Sequence, residues 1–221
     1  MTRSLSRRQL LMAAGVSGLG AAYGARGLLV PDSAVAGCLL QREVTEGPYY
    51  VDLDLDRRDI RGGRKGIPLT LRFAVVHATT CRAIKNASVE IWHADTSGAY
   101  SGVAGNGGTW LRGIQRSNAR GQVRFETIFP GWYPGRTPHI HMKVFVSGSE
   151  IHTGQVFFPP AVMSSIYGRG RYAARGTVSS ANTNDGIYRQ AGARAVLGMR
   201  RKGDSTGDGY NGSLTIGVDP S

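Results

Sequence analysis

Short stretches in which apolar residues recur at every second position, each closed by glycine, proline, asparagine or serine, set the limits on how this chain can fold. QVRFETI (122–128) shows the pattern plainly, with Val123 and Phe125 alternating with Gln122, Arg124 and Glu126. A period of two puts apolar side chains on one face of an extended strand and polar ones on the other. PLTLRFAVVH (68–77), ASVEIWH (87–93), PHIHMKVFV (138–146) and GSLTIGV (212–218) read as further strands. Strands of this length between turn signals, with few long helical patterns, predict an all-β fold: an antiparallel β-sandwich with long loops. With 221 residues, 41% of them hydrophobic, the chain suits one globular domain, and it contains no internal repeat. The Gly-, Arg- and Ser-rich stretch 164–192 is expected to be an extended loop covering that domain.

Residues 1–36 read differently. MTRSLSRRQLLMAAGVSGLGAAYGARG places Arg7 and Arg8 after a serine and before a short, weakly apolar Ala/Gly/Leu stretch. This resembles a twin-arginine export signal, with small residues Ala34-Val35-Ala36 offering a cleavage site. The folded domain is then expected over 37–221, in an extracellular or cell-envelope setting. No apolar run reaches the roughly 18 residues that a membrane-spanning helix needs. The two cysteines, Cys38 and Cys81, are expected to form a disulfide after export. A competing reading takes Val35-Ala36-Gly37-Cys38 as a lipoprotein box with Cys38 lipidated, although Arg26, Pro31 and Asp32 separate that box from the apolar stretch.

The formal net charge is +12, and residues 1–36 hold a surplus of three, so the remainder keeps +9. That favours anionic neighbours, such as aromatic acids, cell-wall polymers or humic material, against the plainer reading of a solvated basic surface. Nucleic acid is disfavoured, because the basic residues are scattered and no recognition helix or aromatic stacking motif accompanies them.

The densest cluster of chemistry is GWYPGRTPHIHMKV (131–144). On a strand, His139, His141 and Lys143 share one face, and Ile140, Met142, Val144 and Val146 take the apolar other. Two histidines on one non-core face make metal ligation the leading reading. The nearby sequence has no carboxylate to complete a two-histidine, one-carboxylate iron(II) site, and the cysteines are used elsewhere. Tyr133, in the turn before the strand, offers a hard anionic oxygen that suits iron(III) better than zinc.

These residues belong to a wider pattern: TEGPYYVD (45–52), IPLTLRFAVV (67–76), ASVEIWHADTSGAYSG (87–102), FETIFPGWYPGRTPHIH (125–141) and GQVFF (154–158). In this combination the chain resembles the intradiol ring-cleavage dioxygenases, the catechol and protocatechuate group. The resemblance implies one Fe(3+) per chain, held by Tyr100, Tyr133, His139 and His141. It implies catalytic roles for Arg136, facing the substrate ring, and for Tyr133, the tyrosine that leaves the metal while Tyr100 stays. It implies a substrate pocket containing Gly47, Pro48, Tyr49 and Gln155. His93 reads as a structural hydrogen-bonding residue, Trp132 as either pocket rim or packing, and His77 and His152 carry no signal.

The implied reaction inserts both atoms of O2 between the hydroxyl-bearing carbons of a catechol, giving a muconate-type diacid. The charge count suits it: Fe(3+) with two phenolates and a hydroxide is neutral, and so is Fe(3+) with one phenolate and a catechol dianion. A low-dielectric site favours that neutral exchange. Only five residues separate Tyr133 from His139, a shorter connection than the resemblance leads one to expect, and a more open pocket follows. The chain also lacks the N-terminal helical dimerisation region of catechol enzymes and shows no partner subunit. The alternatives are a secreted, non-catalytic β-sandwich module binding aromatic or polysaccharide ligands, and a zinc hydrolase, which lacks an evident general base.

Overall fold

The computed structural model describes residues 40–220. The export signal, Cys38 and the expected domain boundary lie outside the described residues. Eight strands form two four-stranded sheets. The first sheet contains β1 (Pro68–His77), β4 (Gln122–Ile128), β7 (Gly198–Arg201) and β8 (Tyr210–Val218), in the order β4-β1-β8-β7. The second contains β2 (Ser88–Trp92), β3 (Arg112–Arg116), β5 (His139–Val146) and β6 (Ser149–Phe157), in the order β3-β2-β5-β6.

Alternation decides what each sheet turns inward. From β1, Leu69, Leu71, Phe73 and Val75 are all at most 1% exposed, while Arg72 between them is exposed. Phe125, Ile140, Met142, Val144, Val156 and Ile216 join them in one core between the sheets. Each such side chain contributes about 1.5–3 kcal/mol by leaving water. This core positions the chemistry by exclusion: whatever alternates with it must face outward.

Two expectations need correction. The sandwich is not wholly antiparallel, since β1 pairs in parallel with β8, with Leu69 opposite Tyr210 and His77 opposite Val218. A strand at the far end of the chain closes the first sheet beside β1, and such a long-range pairing has no local turn signal. Residues 164–192 are not an extended loop. Helix α1 (Pro160–Ile166) runs into this stretch, 3-10 turns occupy Gly170–Arg175 and Asn182–Asn184, and helix α2 (Gly186–Ala191) follows. Met163, Ile166 and Tyr172 anchor the segment in the core. Among the described residues no helix is long and apolar enough to cross a membrane.

Candidate metal centre

The register of the second sheet lines up Arg112, Trp92, His141 and Gln155 across β3, β2, β5 and β6. This row lies on the outer face of the sheet, as the alternation in PHIHMKVFV requires. The face is nonetheless covered, with His139 and His141 only 3% and 1% exposed. The cover is the segment 44–50, which crosses the sheet, together with the two loops that carry Tyr100 and Tyr133.

Each donor is delivered by a separate local device. His139 and His141 come from one strand by its period of two. Tyr100 follows a turn organised by Asp95, whose Oδ1 accepts from the Ser97 and Ala99 amides and the Ser97 hydroxyl. Tyr133 sits in the Pro/Gly turn before β5, and its loop is tied to the same place by the Gly131 amide donating to the Asp95 carbonyl at 2.8 Å. A Cβ on Gly131 would lie 2.3 Å from that carbonyl oxygen. Only glycine therefore lets the two tyrosine loops approach.

The four side chains converge. Tyr133 donates its hydroxyl to His139 Nε2 at 3.0 Å, and Tyr100 Oη lies 3.1 Å from His141 Nε2 and 3.5 Å from His139 Nε2. The two Nε2 atoms are 3.1 Å apart. His139 Nδ1 donates to the Thr137 carbonyl at 2.6 Å, which leaves the Nε2 lone pair aimed into the cluster. The His141 ring stacks on Trp92, centroids 5.0 Å apart, and its buried Nδ1 has no hydrogen-bond partner among the described residues.

Burial keeps both histidines neutral. Together with the nearby Arg136 charge it lowers His139 to about 3, and burial followed by the His139 neighbour puts His141 well below its ordinary value. Burial also raises both phenols, Tyr100 well above the usual tyrosine range. These four contacts among two imidazole nitrogens and two phenol oxygens, 3.0–3.5 Å long, match edges of a coordination shell with bonds of about 2 Å. Among the described residues no group of three or more His, Cys, Asp and Glu is placed to hold a metal. The donor set is half tyrosine, and it fits a hard trivalent ion.

Arg136 reaches the same cluster, with Nη1 3.4 Å from His139 Nε2. Its Nη2 donates to Gln155 Oε1 at 2.6 Å, and Gln155 in turn donates to the Thr45 carbonyl. Its Nε donates to Asp185 Oδ2 at 2.8 Å. Burial alone would raise the Asp185 carboxyl, but hydrogen bonds from the Thr137 amide and from Arg136 hold it below the usual carboxylate range. Asp185 Oδ1 also caps α2, accepting from the Ile187 and Tyr188 amides.

The crossing segment supplies the remaining wall. Tyr49 stacks on Tyr100 with centroids 4.5 Å apart and meets Tyr133 edge-on. Gly47 lies against His141, where a Cβ would come within 3.2 Å of Cε1. Pro48 between them is exposed. Trp132 packs against the main core with the Arg175 guanidinium 5.0 Å over its ring, as a packing residue would. His93 bridges the sheets, donating from Nδ1 to the Ala94 carbonyl and accepting the Thr127 hydroxyl at Nε2.

Two contributors are missing from the sequence reading. Asp185 carried one legible sign, an aspartate immediately before a short helix, where capping residues belong. Arg112 carried none. Its buried guanidinium donates to the Ser101 carbonyl and hydroxyl and to the Tyr49 carbonyl, clamping the Tyr100 loop to the crossing segment.

Several known proteins resemble this chain in sequence and fold. A dioxygenase family model matches residues 45–166. An intradiol ring-cleavage dioxygenase from Tetranychus urticae is 35% identical, with a TM-score of 0.78 over 83% of this chain and 96% of that one. A chlorocatechol 1,2-dioxygenase from Cupriavidus pinatubonensis is 28% identical over 135 residues, 51% of this chain and 52% of that protein. The chain thus spans about half the length of the curated relatives it matches. A 3-chlorocatechol 1,2-dioxygenase from Rhodococcus opacus 1CP, 18% identical with a TM-score of 0.62 over 85% of this chain and 75% of that one, shows the same fold. These relatives do not favour a non-catalytic binding module.

Proposed function

The chain belongs to the intradiol ring-cleavage dioxygenases, and from that membership we propose that it cleaves catechol-type aromatics with O2 to muconate-type diacids, using one ferric ion held by Tyr100, Tyr133, His139 and His141. The observation that carries this reading is the convergence of those side chains on His139 Nε2, which has Tyr100 Oη, Tyr133 Oη and His141 Nε2 all within 3.5 Å beside Arg136. When bound, ferric iron supplies Lewis acidity that lowers the pKa of catechol hydroxyls and opens the ring to dioxygen. The protein does the rest. Tyr133 is the less buried of the two tyrosines, whereas Tyr100 is 3% exposed and stacked on Tyr49. Tyr133 Oη is therefore the group that swings aside and takes a proton from the incoming catechol, while Tyr100 holds its place. Arg136, fixed by Asp185 and Gln155, presents a preorganised cation to negative charge building on the ring. Gly47, Pro48, Tyr49 and Gln155 bound the substrate.

The twin-arginine leader, export to the cell envelope and the Cys38–Cys81 disulfide are part of the same proposal. No cysteine among the described residues is free, which supports the pairing. The short Tyr133–His139 connection supports a pocket open to bulky catechols. The test is turnover of iron-loaded protein under 18O2 with catechol, protocatechuate, hydroxyquinol and caffeate. A diacid carrying both labelled atoms supports the reading; an extradiol product, or no product from any of the four, overturns it.

A further inference from the structure

A second concave surface lies on the outer face of the first sheet, across the core from the tyrosine–histidine cluster. It encloses about 820 Å³ and is lined by Arg72, Arg124 and Arg194 with no carboxylate among its lining residues. The register explains the hollow. Ala74 stands opposite Gln122 and beside Thr215, so a small side chain floors the groove between longer ones.

The register also sets Arg72 directly opposite Arg124. Like charges in that position repel and weaken a sheet. Arg124 is partly offset by Glu126, whose Oε1 accepts from its Nε at 2.7 Å. Arg72 gives one N–H to Asn211, and Arg194 makes no ion pair among the described residues. Three guanidiniums thus face one groove with most of their donors open.

We propose that this groove docks an acidic polysaccharide, a chain of sugars bearing carboxylates. Each guanidinium offers a fork that matches a carboxylate. Between the arginines, Asn118, Gln122, Ser213 and Thr215 supply amides and hydroxyls that suit sugar hydroxyl groups. Nucleic acid fits less well. The only aromatic residue in the lining, Phe73, is 1% exposed and offers no stacking platform for bases. A concave sheet face also cannot enter a duplex groove, which admits a helix or a ribbon. Docking here leaves the opposite face of the sandwich open, so the protein could work while attached to a polymer. The inference rests on the groove alone and stands whether or not the other face holds iron.

The test uses the full-length protein and polygalacturonate as probe, with neutral dextran and DNA as comparisons, at about 0.1 M salt. Replacing all three arginines (Arg72→Gln, Arg124→Gln, Arg194→Gln) should weaken polygalacturonate binding about tenfold or more, with turnover unchanged. Removing equal charge elsewhere (Arg169→Gln, Arg171→Gln, Arg200→Gln) should leave binding near wild type. Ala74→Tyr, which fills the groove without altering charge, should weaken binding as the arginine variant does. Equal losses in both triple variants, binding indifferent to Ala74→Tyr, or tighter DNA binding lost with the same three arginines would each overturn the proposal.

Discussion

Tyr133 and Tyr100 are the same side chain in different surroundings, and their surroundings divide the work. Tyr100 is stacked on Tyr49 and held by a loop that Arg112 clamps, whereas Tyr133 rests on a short turn and touches Tyr49 only edge-on. Tyr133→Phe should therefore weaken the visible tyrosine-to-iron absorption of iron-loaded protein and cut turnover by about 10²-fold or more, as removing a proton-handling group does. Unchanged colour and rate would show that the wrong tyrosine was chosen. Arg136→Ala should leave the colour and lower turnover by a similar factor, the cost of losing one preorganised charge. The histidines were legible as a pair because a strand's period is two. The second tyrosine was not legible that way, since Tyr100 lies 39 positions before His139 and only the family pattern linked them.

Helix α2 shows why an element should be judged by what its end holds. It spans six residues, Gly186–Ala191, too short for its own hydrogen bonds to sustain. Its N-cap Asp185 spends one carboxylate oxygen on the helix and the other on Arg136 and the Thr137 amide. The two roles separate by mutation. Asp185→Asn keeps a good cap but removes the charge and turns an amide NH2 toward the Arg136 and Thr137 donors; stability should fall by about 2 kcal/mol while turnover drops about tenfold with the colour retained. Asp185→Ala loses both and should cost about 3 kcal/mol, because it also leaves Arg136 without its buried partner. Equal turnover in the wild type and Asp185→Asn would reduce Asp185 to a cap. The covering segment reads in sequence as a loop because its helices are too short to display a 3.6-residue period, and their stability comes from Met163, Ile166 and Tyr172 in the core.

At the scale of the whole molecule, the two sheets are joined by side chains that must stay neutral. His93 links the end of β2 to Thr127 in β4, and burial lowers it to about 4. The unfolded chain takes up that proton near pH 6.5, so stability is full above that value and declines as pH falls toward 4. Thermal unfolding of the metal-free protein from pH 7 to 4 should show this decline, and it should be shallower in His93→Gln, which cannot titrate. The proposed Cys38–Cys81 link would add about 4 kcal/mol by closing its loop; Cys81→Ser should lower the thermal midpoint, and reductant should then have no further effect. By itself the sequence determined the sandwich and the outward face of His139 and His141, because a period of two is a local property. Only the tertiary structure decided the parallel β1–β8 pairing, the Asp185 and Arg112 anchors and the arginine groove. Each of these depends on which distant strands lie side by side, and that is settled by burial and register across the whole chain.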